Sequence, residues 1–176
     1  MSGTTNRRIG RERHPSRGTL VLGLGNPLRG DDGVGSRVVD ELTRRQLPET
    51  VQVVDVGAAG LDLLRMMEGA EQVVIVDAAD LGRESGQFAR FTPHEAQIVQ
   101  AADGFSLHNA SLSEVLALAD ALGRTLPEMV IFGVQIANIG WGEGLSPAVE
   151  AAIPALVDAV IEELEKGENH AQDSGN

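Results

Sequence analysis

Five short strand-like runs, at residues 19–24, 51–56, 72–77, 86–91 and 129–135, punctuate the chain, and most are followed by a glycine-containing turn and then a helical pattern. The first, second, third and fifth are rich in Val, Leu and Ile on both alternating sides, as strands buried on both faces of a sheet must be. From Gly33 to Gln46 the period changes: Val34, Val38, Val39 and Leu42 fall on one side of a helix, with Asp31 or Asp32 placed as its N-cap and Pro48 beyond its end. A short helix is expected over 61–68 and a longer one over 111–123, where Leu112, Val115, Leu116 and Ala119 share a face and Gly123 closes the last turn. Ser146 and Pro147 open a final helix that runs to Glu165. The segment 92–104 reads as irregular. Strands alternating with helices specify βαβ units, hence an α/β fold with a mostly parallel sheet covered on both faces. In such sheets the working groups collect at the carboxyl ends of the strands.

At 176 residues the chain makes one domain, expected over 18–165, with a basic extension over 1–17 and a polar tail over 166–176 expected to be disordered. Aromatic residues are 3% and Tyr is absent, so the core is aliphatic and an aromatic platform for single-stranded nucleic acid is not expected. The net charge is −12; residues 1–17 carry five Arg against one Glu, which leaves −16 for the remainder. A body that acidic repels phosphate backbones and anionic membranes, so neither nucleic acid nor membrane is an expected partner. No Cys is present, which excludes a thiol nucleophile, disulfides and cysteine-ligated metals and suits a cytoplasmic protein. Arg7-Arg8 resembles a twin-arginine signal, but no apolar stretch follows it.

After the first strand comes Gly23-Leu24-Gly25-Asn26-Pro27-Leu28-Arg29-Gly30-Asp31-Asp32-Gly33. A dinucleotide-binding turn would need a third glycine where Leu28 stands, and two carboxylates at the helix start oppose a pyrophosphate. One of the two aspartates suffices as a cap, which leaves the other free to face the crevice. Asp55 and Asp77 close the second and third strands, where a carboxylate either accepts turn hydrogen bonds or serves a site. His108 stands just before a helix. Asp32, Asp77 and His108 thus fall at junctions expected on one edge of the sheet, and two carboxylates with an imidazole suit a divalent metal such as nickel or zinc. No G-x-S-x-G elbow and no H-E-x-x-H helix occurs.

The pattern Gly23-x-Gly25-Asn26-x-Leu28-x-x-Asp31-Asp32-Gly33-x-Gly35 resembles the N-terminal signature of the hydrogenase maturation proteases. The likeness continues at 55–60, at Val76-Asp77-Ala78, at Ser106-Leu107-His108, at Gly133-Val134-Gln135 and at 144–147, in the same order along the chain. The resemblance implies a twisted, mainly parallel five-stranded sheet. It implies an endopeptidase that removes a short C-terminal extension from a [NiFe]-hydrogenase large-subunit precursor after nickel insertion. It places metal contacts at Asp32, Asp77 and His108 and a further functional acid at Asp55, so that all four count as candidate catalytic residues. The nickel is expected to arrive with the precursor, and no organic cofactor is expected. At 55–60 the sequence reads Asp-Val-Gly-Ala-Ala-Gly where the family commonly has Asp-Gly-Gly-Thr-x-Gly, which affects the loop around Asp55. A non-proteolytic factor that senses nickel on the same precursor is the alternative. A monomer that meets its partner transiently fits the acidic surface.

Overall fold

The computed structural model describes residues 18–57, 62–96, 106–107 and 110–173. Its strands are β1 (Thr19–Leu24), β2 (Val51–Gly57), β3 (Gln72–Asp80), β4 (Phe88–Phe91), β5 (Ser106–Leu107) and β6 (Glu128–Gln135). The described helices of five or more residues are α1 (Val34–Leu42), α2 (Asp62–Met66), α3 (Ala110–Ala121) and α4 (Pro147–Asp173). The main path of the sheet is β2-β1-β3-β6-β4, parallel except for the antiparallel edge strand β4. A sixth strand, β5, is two residues long and pairs antiparallel with Ala79 and Asp80, past the point where β1 has ended.

The alternation of side chains across the strands divides the core in two. Leu20, Leu22 and Leu24 of β1 with Val73 and Ile75 of β3 pack beneath Leu63, Leu64 and Met67 around α2 and beneath Leu112, Val115, Leu116 and Ala119 of α3. Val21, Val74, Val76, Val130 and Phe132 face the other way, onto α1 and α4. Each such fully buried side chain contributes about 1.5–3 kcal/mol, so these two aliphatic layers hold the domain together without Tyr or disulfides. The connection from β1 through α1 leads to β2, and the return through α2 leads to β3 on the other side of β1. Helices therefore cover opposite faces, and the chain reverses direction across the sheet between β1 and β3.

Several expectations are corrected. The helix expected from Gly33 to Gln46 is α1 alone, preceded by a 3-10 turn over Gly30–Gly33. Neither Asp31 nor Asp32 caps it: Gly33 holds the N-cap position with no side-chain bond, because both carboxylates are bound elsewhere. Strand β3 runs on to Asp80, so Asp77 lies inside the strand and not at its end; pairing with β6 continues to Ala79 and sustains the extension. Residues 93–96, read as irregular, form a helical turn. Its start carries a capping box: the Glu95 carboxylate accepts bonds from the backbone N–H and hydroxyl of Thr92, and the Thr92 hydroxyl accepts from the Glu95 N–H. Helix α4 continues to Asp173, past the end at Glu165 expected from the sequence. Residues 1–17 lie outside the described residues.

Edge strand β4 is tied to α4 by one forked ion pair. Arg90 donates from Nε to Glu163 Oε2 at 2.9 Å and from Nη2 to Oε1 at 2.7 Å, and Glu163 is 5% exposed. This bond is the main cause that holds the Glu163 carboxyl below the usual carboxylate range. Arg90→Ala strands a buried carboxylate that solvent reaches only partly, so we expect a loss of about 1–3 kcal/mol, read as a lower urea midpoint with an unchanged slope.

Candidate active site

The glycines of the first motif build the site's floor. Gly35, in the first turn of α1, lies so close to the end of β1 that a Cβ there would collide with the Leu24 backbone and approach the Val76 carbonyl to 2.8 Å. Gly25 has φ +112°, and a Cβ on it would collide with the Asp32 carbonyl oxygen. The loop after β1 therefore folds tightly back over the carboxyl ends of β1 and β3. That is the position where an open α/β sheet offers a crevice to a ligand.

The two adjacent aspartates have separate work. Asp31 is fully buried and accepts four hydrogen bonds from the loop after β6: from the N–H groups of Ala137 (2.7 Å), Asn138 (2.9 Å) and Ser146 (2.6 Å) and from the Ser146 hydroxyl (3.0 Å). Backbone bonds add to this clamp, with Gly30 N–H to the Gly142 carbonyl and Gly142 N–H to the Leu28 carbonyl, both 3.0 Å. Burial pushes the Asp31 carboxyl up, but the bonds from Ser146, Asn138 and Ala137 together outweigh it, and the group stays ionised below the ordinary range. Asp32 is 6% exposed and accepts the Asn26 N–H at 3.0 Å, which turns its carboxylate back over the end of β1.

Asp77 is fully buried in β3, paired in register with Gly133 of β6, and shares its side of the sheet with Val73, Ile75 and Ala79. Asp32 lies in the 3-10 turn that follows β1, and Asp77 lies in β3 one residue beyond the last β1–β3 pair, Gly23 with Val76. Asp55 is placed differently. It pairs in register with Gly23, lies exposed on the side of the sheet that carries α1, and leaves the sheet opposite to Asp77. Its Oδ1 accepts the Ser36 hydroxyl at 3.0 Å and the Gly57 N–H at 3.1 Å. Ser36, buried in α1, is a site neighbour that the sequence reading passed over; a lone hydroxyl between Gly35 and Arg37 gives no signal until the register of β2 is known. His108 lies outside the described residues. The chain just before it, at Leu107, pairs with Ala79, two residues from Asp77.

Asp32 and Asp77 are both buried carboxylates, which are hard oxygen donors. Such groups are costly to bury unless they are paired or hydrogen-bonded. With an imidazole they would suit a divalent cation of the nickel or zinc type.

Comparison with known proteins agrees with this architecture. A family model described as hydrogenase maturation protease matches residues 36–163. The hydrogenase expression/formation protein HupD of Bradyrhizobium diazoefficiens is 36% identical over 147 residues, covering 82% of this chain and 77% of that protein. The hydrogenase 2 maturation protease of Escherichia coli is 30% identical over 146 residues, covering 82% of this chain and 89% of its own. Among solved structures, the hydrogenase maturating endopeptidase HybD from E. coli superposes with a TM-score of 0.73 at 29% identity, over 85% of this chain and 93% of that one. With the sheet order, the glycine-built floor and these matches in hand, the chain belongs to the hydrogenase maturation protease family.

Proposed function

We propose that this protein is an endopeptidase that removes a short C-terminal extension from the nickel-loaded large-subunit precursor of a [NiFe]-hydrogenase. The observation that supports the reading is the burial of two carboxylates, Asp32 in the turn after β1 and Asp77 in β3 one residue beyond its pairing with β1. Nickel enters as part of the substrate. Asp32, Asp77 and His108 supply carboxylate and imidazole donors to it, so that a precursor without metal lacks the bond that seats it. Asp55 orients or deprotonates the attacking water, with its carboxylate held by Ser36 and Gly57. The chemistry needs no thiol, which the chain does not have.

The test follows the mass of a nickel-loaded precursor on mixing with the protein. Loss of one discrete C-terminal peptide, absent with nickel-free precursor, is the expected result. His108→Ala is expected to retain the wild-type circular dichroism spectrum and to lose processing; full processing by that variant overturns its assignment. A second reading, a nickel-sensing factor that binds without cutting, is favoured by the existing commitment of the Asp55 carboxylate to Ser36 and Gly57. Binding of loaded precursor with no change in its mass would select it.

A further inference from the structure

The two loops clamped by Asp31 carry an exposed rim that the chemistry above does not use. Trp141 is 82% exposed and Leu28 is 51% exposed, and they are two of the three large apolar side chains most open to solvent among the described residues. Between them lies Arg29, whose guanidinium carbon sits 5.8 Å from the centre of the Trp141 ring. Arg29 Nε is buried and has no hydrogen-bond partner among the described residues, where Arg29 also forms no ion pair. Arg29 stands three residues before Asp32, so the rim borders the crevice.

A guanidinium beside an indole uses its face for the ring and keeps its edge N–H groups for a planar acceptor, for which a carboxylate is the natural match. The loop pairing between Arg29 and Gly142 and the four bonds to Asp31 hold the rim in place before anything binds, which lowers the cost of ordering it later. Trp and Arg on a rigid support are the residue types that dominate binding energy at interfaces. On a chain of net charge −12, a guanidinium on this rim also sets the direction from which an acidic segment can approach.

We propose that Leu28, Arg29 and Trp141 form the docking surface for the precursor segment adjoining the cleaved bond. A precursor carboxylate lies on the Arg29 guanidinium, and an apolar precursor side chain covers Trp141 and Leu28. This rests on the precursor reading given above. The carboxylate is either an acidic side chain of that segment or the precursor's own C-terminus.

Steady-state processing of nickel-loaded precursor by the full chain tests it. Arg29→Gln and Trp141→Ala are each expected to raise KM about tenfold with kcat unchanged, as lost ground-state binding does, and Arg29→Lys is expected to recover only part of the loss. Trp141 is the only tryptophan, so 5-fluorotryptophan labelling gives one fluorine resonance that reports on the rim without reference to activity. That resonance is expected to shift on addition of unlabelled loaded precursor. Amidation of the precursor C-terminus, or amide replacement of its acidic side chains, reproduces the Arg29→Gln effect according to which carboxylate is used. Wild-type KM in both variants, or an unmoved resonance under saturating precursor, overturns the surface; a carboxylate role alone is overturned if neither precursor change raises KM. Wild-type protein that leaves the precursor uncut and unbound overturns the underlying reading and the surface with it.

Discussion

Asp77→Asn is expected to lower kcat/KM for precursor processing by at least about a hundredfold while the folded protein keeps its thermal midpoint to within a few degrees. The two halves of that expectation have separate causes. Asparagine matches the volume of aspartate and keeps one carbonyl oxygen, so the packing among Val73, Ile75 and Ala79 on that side of β3 is preserved. What the variant loses is the charged oxygen pair, and an amide is a poor donor to a divalent metal beside a carboxylate. Circular dichroism and a thermal melt establish the first half, and precursor mass against time establishes the second. A variant that processes at the wild-type rate removes Asp77 from the site, and a variant that unfolds makes Asp77 a structural carboxylate. Asp32→Asn is expected to share the phenotype, since its carboxylate is also buried, in the turn after β1, where it accepts the Asn26 N–H.

How far this could be read from residues alone depended on the range of the forces involved. Strands β1, β2, β3 and β6 were legible because a parallel strand buried on both faces reads as a continuous apolar run. The end of β3 was not, because pairing with β6 continues to Ala79 and β5 pairs with the polar Asp80. Helix α1 was legible from Val34, Val38 and Leu42, but its start was not, since a carboxylate before a helix is a cap only when nothing else competes for it. Asp31 is claimed by Ala137, Asn138 and Ser146, more than a hundred positions along the chain, and no local pattern reports that claim. The Thr92–Glu95 capping box is the opposite case: its signature is local and complete in Thr-Pro-His-Glu, and it was passed over beside the apolar gaps that follow. For the site itself, the register shows what spacing cannot. Asp55 and Asp77 both follow apolar runs, yet they leave the sheet on opposite faces, and only the pairing of Gly23 with both Asp55 and Val76 reveals it.

The same long-range claim makes Asp31→Ala the most destabilising single change we expect at the site. Four donors that converge on one carboxylate lose their acceptor together, three of them backbone N–H groups. Hydrogen bonds to a charged group contribute about 1.5–3 kcal/mol each before compensation by water, and water can enter this partly buried loop. A net loss of about 2–4 kcal/mol follows, which for a chain of this size lowers the thermal midpoint by roughly 5–15 °C. Acid provides an independent check. The Asp31 carboxyl titrates below its ordinary value of 3.8 in the folded protein. Its contribution to stability is therefore complete above the unfolded value and is lost as pH falls through the folded one. Wild-type protein should weaken steeply below about pH 4, whereas Asp31→Ala should start lower and lose less over the same interval. Urea midpoints measured between neutral pH and that acid range distinguish the two slopes. Because the clamp also sets where Asp32, Arg29 and Trp141 stand, the variant should lose processing at temperatures where it is still folded. Asp77→Asn should lose processing with no change in the melt. If Asp31→Ala melts like wild type, the loops after β1 and β6 are held by the backbone bonds of Gly30 and Gly142 alone, and the division of labour between the paired aspartates fails.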